Sequence, residues 1–271
     1  MRLSLVTCSY QQGRFLEATL RSVVDQGVAD LEYLVVDGGS TDGSVEVIQR
    51  YAGHLSWWVS EPDRGQTDAL IKGFARATGE VQGWLCSDDL LLPGAVERVL
   101  RFFEQHPEAD AVYGDALWID ERGDFIRAKR ESGFHRFPFL FDHNYVPQPS
   151  MFWRRRLYER VGGLDPRFNL AMDGDLWERF SRAGRICHMP EYLSCLRFYA
   201  EQKTRRLRPQ GAEEDRQIRQ RSALGRVPVL RPILAPLAKV YRVLLKAGAG
   251  GYDAHVDPQL LDSLRRYRLS A

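Results

Sequence analysis

Two adjacent acidic residues, Asp88 and Asp89, are the first candidates for chemistry in this sequence. They follow a short apolar run, and their mutual repulsion requires a compensating cation. Carboxylate oxygens suit Mg²⁺ or Mn²⁺, which keep bound waters and complete their coordination with substrate phosphates. A metal-bridged diphosphate would explain the pair. In the alternative interpretation, the two carboxylates lie just ahead of Pro93 and Gly94 and stabilise the N-terminus of the next helix.

A second acidic pair, Asp173 and Asp175, opens a predicted helix that continues to about residue 183. A carboxylate placed across the site from a metal would act as a general base toward an acceptor hydroxyl. The simpler alternative is that one of the two caps the helix and the other faces solvent. The spacing of the pair fits both alternatives.

Other catalytic motifs are absent from the sequence. It contains no Gly-x-x-x-x-Gly-Lys-Ser/Thr phosphate loop, no Gly-x-Ser-x-Gly elbow and no His-Glu-x-x-His pair. The six histidines are scattered, which favours surface or packing roles. The four cysteines include no Cys-x-x-Cys pair, which argues against a disulfide framework or structural zinc and favours a reducing compartment. Cys86 is interpreted as a buried small residue rather than a nucleophile.

The elements that position these residues alternate along the first half of the chain. Short apolar runs predict strands at 3–9, 32–37, 55–60, 82–87 and 111–119. Amphipathic stretches between them predict helices, so we expect an α/β fold with a Rossmann-like, mostly parallel sheet flanked by helices. Polar clusters end four of the predicted strands, where sheets of this kind bind ligands. A further helix-like run is predicted at 151–161.

Composition and charge bound the class of protein. The 271 residues are 44% hydrophobic and 27% charged, which is typical of a globular chain of one large or two small domains. No apolar run approaches the roughly 18 residues that span a bilayer. The run after Arg2 is too short for a signal peptide, so a cytoplasmic location is expected. The net charge of +2 divides into −7 for residues 1–202 and +9 for residues 203–271.

These segments resemble the inverting glycosyltransferases of family 2, which have the GT-A fold, over roughly residues 1–200. The motifs that carry the resemblance are 5–10 (LVTCSY), 35–44 (VVDGGSTDGS), 61–66 (EPDRGQ), 86–89 (CSDD) and 172–175 (MDGD). The resemblance implies inverting transfer of one sugar from a nucleotide-sugar donor to a glycan or lipid-linked acceptor. The third motif is similar to a subset that acts in bacterial surface-polysaccharide biosynthesis, such as that of O-antigen, capsule or exopolysaccharide.

The resemblance also implies roles for individual residues. The implied donor-nucleotide ligands are Thr7, Ser9, Tyr10, Asp37, Asp63, Arg64, Asp68, Ser87 and Asp88. Asp88 and Asp89 would hold Mg²⁺ or Mn²⁺ on the donor diphosphate, and Asp173 would be the catalytic base. Cys86 replaces the first acid of the family's acidic motif, and Tyr199 stands where many relatives carry a histidine. Lys203 or neighbouring arginines are candidates to supply positive charge there.

Two alternatives to glycosyl transfer remain open at this point. The first is a catalytically silent GT-A domain that binds nucleotide or serves as an assembly partner, which the departures at Cys86 and Tyr199 motivate. The second is a nucleotidyltransferase, which uses a similar sheet and metal but releases pyrophosphate. The aromatic residues of 134–145, with Trp153, either stack on sugar or lipid or belong to the core.

We expect the chain to divide into a catalytic domain at 1–200 and a basic, partly helical extension at 201–271. The catalytic domain would comprise a nucleotide-sugar half (1–120) and an acceptor half (121–200). Lys239, Arg242 and Lys246 share one face of a predicted helix at 237–247. Such a helix either lies on an anionic membrane surface, making the enzyme peripheral, or packs on the catalytic domain or a partner chain. The acidic catalytic part argues against nucleic acid as a partner.

Overall fold

A computed structural model describes residues 1–253 and 255–269 of the chain, so the predicted extension is described except for Ala254 and its last two residues. The strands are β1 (Leu3–Ser9), β2 (Leu31–Asp37), β3 (Trp57–Ser60), β4 (Val81–Cys86), β5 (Leu90–Leu91), β6 (Ala111–Ile119), β7 (Phe125–Lys129), β8 (Met151–Arg154) and β9 (Ile186–Arg197). The helices are α1 (Gly13–Val24), α2 (Ser44–Tyr51), α3 (Gln66–Arg76), α4 (Ala95–Gln105), α5 (Arg136–Phe141), α6 (Arg155–Arg160), α7 (Met172–Ala183), α8 (Lys203–Arg206), α9 (Arg208–Arg219), α10 (Arg231–Gly248) and α11 (Pro258–Ser263).

One sheet joins the described strands in the order β3-β2-β1-β4-β8-β6-β9-β5, with β7 paired to β6. β1 is parallel to β2 and β4, and β2 is parallel to β3. β8 runs antiparallel to both β4 and β6, whereas β6 and β9 are parallel. The α/β fold with a Rossmann-like sheet is therefore confirmed, and the antiparallel pairings lie in its second half.

Alternate side chains of the central strands enter two cores, one on each face of the sheet. Leu3 and Leu5 of β1 pack in the core that includes Leu16 and Leu20 of α1. Val6 of β1 packs on the opposite face, in the core that α3 and α7 also enter. A strand buried on both faces is apolar at almost every position, which is why the short apolar runs located β1, β2 and β4 correctly.

The structure corrects one prediction for the second half of the chain and adds elements that were not predicted. The helix-like run at 151–161 begins as the buried strand β8, and helix α6 starts only at Arg155. The stretch 121–150 contains the short strand β7 and the short helix α5, which the sequence did not predict. β9 was not predicted, because extra residues bulge from it opposite residues 114–116 of its neighbour β6 and interrupt its alternation.

The aromatic segment belongs mainly to the core. Phe139, Phe141, Tyr145 and Trp153 are at least nine-tenths buried. Trp153 packs in a cluster of rings with centroid separations of 5.5–5.6 Å to Trp84 and Trp177. The core alternative is therefore confirmed for these residues.

The predicted helix at 237–247 is part of the longer helix α10, which continues across Pro236. Two of its three cations turn inward: Arg242 Nε lies 2.6 Å from Asp142 Oδ2, and Lys246 Nζ lies 3.7 Å from Glu131 Oε1, whereas Lys239 is exposed. The alternative in which this helix packs on the rest of the chain is thus confirmed for Arg242 and Lys246, and α10 also packs on α5. Within the described ranges, no helix is both long enough and apolar enough to cross a membrane.

Candidate active site at the carboxyl ends of the parallel strands

The turn after β4 carries the first acidic pair and is held from two sides. The hydroxyl of Thr19 lies 2.9 Å from the carbonyl oxygens of both Ser87 and Asp89. The backbone N–H of Arg197 donates to Asp89 Oδ1 at 2.9 Å, and its guanidinium Nε donates to the Asp88 carbonyl at 2.8 Å. The turn is therefore fixed by α1 on one side and by the end of β9 on the other.

The acidic pair has less positive charge around it than two ionised carboxylates require. Burial raises the pKa of Asp88, and burial together with Asp88 raises the pKa of Asp89 well above its ordinary value. Arg197 is almost fully buried beside them, and burial lowers its own pKa. Arg197 and Arg14 lower the pKa of Asp88 but do not offset its burial, and such a site fits a divalent cation. The ligand atoms of Cys86, Asp88 and Asp89 lie within 4.8 Å of one another.

The helix-terminus interpretation of the acidic pair is wrong. β5 separates Asp88 and Asp89 from α4, and it pairs with β9. α4 has Gly94 as its N-cap, and no side chain caps it within the described residues. The two carboxylates are thus free of that structural role.

Cys86 remains a thiol at the position of the family's first acid. A hydrogen bond with Cys8 and burial raise the pKa of Cys86 well above its ordinary value. Gln66 Nε2 donates to its sulfur at 3.2 Å, and the thiol donates to Gln148 Oε1 at 3.4 Å. Its interpretation as a small packed residue rather than a nucleophile fits this environment.

A second cluster forms a shallow polar pocket at the ends of β1 and β2. The Tyr10 side chain is 61% exposed, and Gly38 lies between its ring and Asp63. A Cβ at position 38 would come within 2.8 Å of Asp63 Oδ2 and 3.1 Å of the Tyr10 ring, so a larger residue there would displace one of these side chains. The buried Ser9 hydroxyl has no hydrogen-bond partner among the described residues. An exposed ring, a carboxylate and a free hydroxyl can together bind a planar polar group.

Asp37 and Thr7 order the strand ends from inside. Asp37 is fully buried, and its carboxylate accepts hydrogen bonds from the hydroxyls of Ser40 at 2.6 Å and Ser60 at 2.7 Å. Two backbone N–H groups of its own loop donate to it as well. The Thr7 hydroxyl lies 3.0 Å from that of Tyr33, inside the sheet. Both residues shape the pocket, and their direct contact with a ligand stays a prediction.

Arg64 and Asp68 form an ion pair at the start of α3 with an N–O distance of 2.8 Å. The hydrogen bond from Arg64 lowers the pKa of Asp68. The Arg64 side chain is 84% exposed, so the structure places it at the surface beside Asp63. The predicted contact of this pair with the nucleotide stays a prediction.

Lys203 reaches the site from the C-terminal extension. Its Nζ donates to the carbonyl and side-chain oxygens of Asn169 at 2.6 and 2.9 Å, and to Gln66 Oε1 at 3.3 Å. Burial lowers its pKa, while the neighbouring Cys8 and Cys86 act in the opposite direction. The structure therefore places a cation close to the carboxyl ends of β1 and β4, and Arg205 and Arg206 are exposed instead.

Asp173 lies in the first turn of α7, and its hydrogen-bond partners differ from those of Asp175. Asn144 Nδ2 donates to its Oδ2 at 2.9 Å, and the Gly174 N–H donates to its Oδ1 at 2.7 Å. Burial and the nearby Asp215 raise the pKa of Asp173 to about 6. Asp175, by contrast, is fully buried in ion pairs with Arg179 and Arg221. The alternative in which one of the pair faces solvent is therefore wrong for Asp175.

Several supporting residues were missed by the sequence motifs. Glu214 of α9 accepts hydrogen bonds from the backbone N–H groups of Leu170 and Ala171, each at 2.8 Å, and so fixes the loop that leads into α7. Asn144 donates a hydrogen bond to Asp173, and Arg197 donates hydrogen bonds to Asp88 and Asp89. Their partners lie 29 or more positions away in sequence, so no local pattern indicates them. The one available signal for Glu214 is a run of three acids at 213–215 within a basic segment.

Comparisons with known proteins identify the family. An uncharacterized glycosyltransferase of Nostoc sp. is 28% identical over 212 residues, which cover 73% of this chain and 65% of the relative. TarS of S. aureus, solved with UDP-GlcNAc, matches with a TM-score of 0.62 at 17% identity, over 74% of this chain and 60% of that chain. The mannosyltransferase PcManGT from Pyrobaculum calidifontis, solved with GDP-Man and Mn²⁺, gives 0.63 at 20% identity over 98% and 79%.

The two solved structures show that the fold is GT-A. The match spans about two thirds of the length of the Nostoc relative. The profile described as "Glycosyl transferase family 2" matches residues 4–162, which include the strand-end pocket and the acidic turn. This chain therefore belongs to glycosyl transferase family 2.

Proposed function

We propose that the protein transfers one sugar, with inversion, from a nucleotide-sugar donor to a glycan or lipid-linked acceptor in cell-surface polysaccharide biosynthesis. One observation carries this proposal. The acidic turn of Asp88 and Asp89 follows β4, and β4 pairs with β1, whose end carries the Tyr10 pocket. A diphosphate with its counterion fits the first feature, and a nucleobase fits the second. The pairing of the two at adjacent strand ends suits a nucleotide-linked donor.

The donor would lie across the ends of β1, β2 and β4. The exposed Tyr10 ring offers a stacking surface for the base, and Asp63 Oδ2 offers a hydrogen bond to the base or ribose. Lys203 would contact the diphosphate. The relatives solved with UDP-GlcNAc and GDP-Man support a nucleotide-sugar donor of this kind.

Asp88 and Asp89 would hold Mg²⁺ or Mn²⁺. Two oxygen ligands and an uncompensated negative charge are the features such an ion requires, and PcManGT was solved with Mn²⁺. When bound, a divalent ion stabilises the negative charge that develops on the departing diphosphate. Tyr199 donates to Asp88 Oδ2 at 2.8 Å, which orients the carboxylate from behind.

Asp173 would act as the general base. Its carboxylate removes the proton of the acceptor hydroxyl while that oxygen bonds to the anomeric carbon and the bond to the phosphate oxygen breaks. Because attack occurs opposite to the leaving group, the configuration inverts. A pKa of about 6 leaves the carboxylate mostly ionised at neutral pH and still basic enough to accept the proton. We place this reaction in the cytoplasm, at the inner face of the membrane.

Thermal unfolding with a panel of nucleoside diphosphates and nucleotide sugars, with and without Mn²⁺, tests the donor site. A ligand that binds only the folded state raises its stability. We expect one diphosphate to raise Tm only with Mn²⁺, and this shift to vanish in Asp88→Asn. Asp173→Asn should keep the shift but lose most donor hydrolysis and transfer. Asp262→Asn, an exposed acid on α11, is the matched control.

Two other results would favour different functions. Metal-dependent nucleotide binding without hydrolysis or transfer would identify a catalytically silent domain. The departures from the family motifs at Cys86 and Tyr199 would then explain the missing activity. Release of pyrophosphate from a nucleoside triphosphate would identify a nucleotidyltransferase. No stabilisation by any nucleotide would contradict the proposed donor site.

A further inference from the structure

Helix α10 exposes a continuous stripe of apolar side chains, which we call the outer face. Its members are Val229 (just before the helix), Ile233, Leu237, Val240 and Leu244. They are spaced three or four residues apart, so they lie on one side of the helix. Their exposed fractions range from 55% to 77%, far above those of the core residues. An apolar stripe of this kind on a solvent-exposed surface indicates a binding partner.

The orientation of α10 is fixed by its opposite side. Ala238 is fully buried, and Arg242 forms its 2.6 Å ion pair with Asp142. The Tyr241 ring contacts those of His135 and Phe137, with centroid separations of 5.6 and 6.3 Å. The outer face therefore points away from the catalytic part, because the inner side is bound to it.

The charge around α10 is complementary to an anionic surface. Residues 216–252 contain eight lysines and arginines and no aspartate or glutamate. Arg226, Arg231 and Lys239 are exposed and have no acidic partner among the described residues. Burial lowers the pKa of Arg219, and the charge of nearby Arg231 lowers it further. Unpaired cations beside an apolar stripe are the composition of a helix that lies in a membrane interface.

The position of α10 relates this surface to the acceptor side of the site. α10 packs on α5, and α5 in turn contacts α7, the helix that carries Asp173. Asn144, which holds Asp173, follows α5 by three residues. A membrane bound at the outer face would thus be connected to the helix that carries Asp173 through α10 and α5.

We propose that the outer face of α10 inserts into the interface of an anionic membrane, with the neighbouring cations on the lipid headgroups, and that the acceptor is therefore lipid-linked. The choice of acceptor rests on the proposed function, whereas membrane binding does not. This surface differs from the expected one, because Arg242 and Lys246 are used inward and the apolar stripe takes the contact with lipid.

Sedimentation with vesicles of phosphatidylcholine, with and without phosphatidylglycerol, tests the proposal on the full chain. We expect binding to the anionic vesicles, strongest at low salt. Leu237→Glu/Leu244→Glu should lower the partition coefficient at least about a hundredfold, since two leucines leave the interface. The neutral pair Leu237→Gln/Leu244→Gln should also bind weakly. Ile126→Glu, which changes an exposed apolar residue on β7, should bind like the wild type.

Nucleotide stabilisation and donor hydrolysis are measured on the same preparations, so failure of the fold or of the donor site is distinguished from failure of membrane binding. If the wild type binds nucleotide but does not sediment with anionic vesicles, the proposal is wrong. It is also wrong if the Leu237/Leu244 variants sediment like the wild type. Light scattering that shows a dimer which those variants dissociate, without vesicle binding, would assign the outer face to a second copy of the chain.

Discussion

The hydroxyl of Tyr199 donates a hydrogen bond to Oδ2 of Asp88 at 2.8 Å. The same hydroxyl accepts one from Gln12 Nε2 at 3.1 Å, and burial raises the pKa of Tyr199, so it stays protonated. Tyr199 thus acts as a hydrogen-bond donor to Asp88. It neutralises part of the charge on one oxygen and leaves the other available to a cation.

Tyr199→Phe removes this donor from Asp88. The hydrogen bond lowers the pKa of Asp88, so its loss favours the protonated carboxyl, which does not bind metal. We expect the Mn²⁺ concentration for half-maximal stabilisation to rise about tenfold, in line with a charge-assisted hydrogen bond. Tyr192→Phe is the control, because its buried hydroxyl has no partner among the described residues. Unchanged Mn²⁺ dependence in Tyr199→Phe would show that the hydrogen bond does not orient Asp88.

The pH dependence of transfer should report Asp173. A general base acts only when ionised, so kcat/KM should rise with pH up to the pKa of about 6 and level off above it. The charge of Asp215 helps to raise this pKa, so Asp215→Asn should move the acidic limb to lower pH. Asp173→Asn should lower kcat about 10²- to 10⁴-fold.

Stability provides the control for these Asp173 variants. The folded-state pKa of this carboxyl is raised, so its ionisation opposes folding as pH increases from about 4 to about 6. At pH 8, Asp173→Asn should therefore have a Tm equal to or above that of the wild type. A lower Tm there would mean that the lost activity reflects a damaged fold rather than a missing base.

Lys203 offers a test of diphosphate binding. Its ammonium is held by Asn169 and Gln66 close to the strand ends, where the donor diphosphate would lie. Lys203→Met should weaken the binding of a nucleoside diphosphate about ten- to a hundredfold and leave that of the nucleoside unchanged. Lys239→Met, an exposed lysine on α10, should leave both unchanged. Equal losses for nucleoside and diphosphate would place Lys203 in a structural role.

The sequence predicted those parts of the fold and site that local patterns determine. β1 was located correctly because its neighbours bury both of its faces. Asp88 was selected because two acids follow a strand, and its role stays a prediction. Lys203 could only be suggested, because its contacts are with residues 34 and 137 positions away. The orientation of α10 could not be predicted, since both sides of the helix carry apolar residues and its inward contacts, such as that of Arg242 with Asp142, are distant in sequence.

Glu214 connects the C-terminal extension to the loop before α7, the helix that carries the proposed base Asp173. Its buried carboxylate accepts the N–H groups of Leu170 and Ala171. Glu214→Ala leaves these donors unpaired and should lower the free energy of unfolding by about 2–4 kcal/mol, measured by denaturant titration. Glu214→Gln keeps one acceptor oxygen and should lose less. Glu213→Gln, at the exposed neighbouring position, is the matched control.

The same loop leads directly into Asp173, so the activity of Glu214→Gln should separate two roles of the extension. If the extension positions the base, kcat falls while Mn²⁺-dependent binding of the nucleoside diphosphate stays as in the wild type, because the acidic turn is held by Thr19 and Arg197 instead. If kcat and nucleotide binding fall together, the extension supports the whole site. Lys203, which follows β9 by six residues, would then link the extension to the nucleotide.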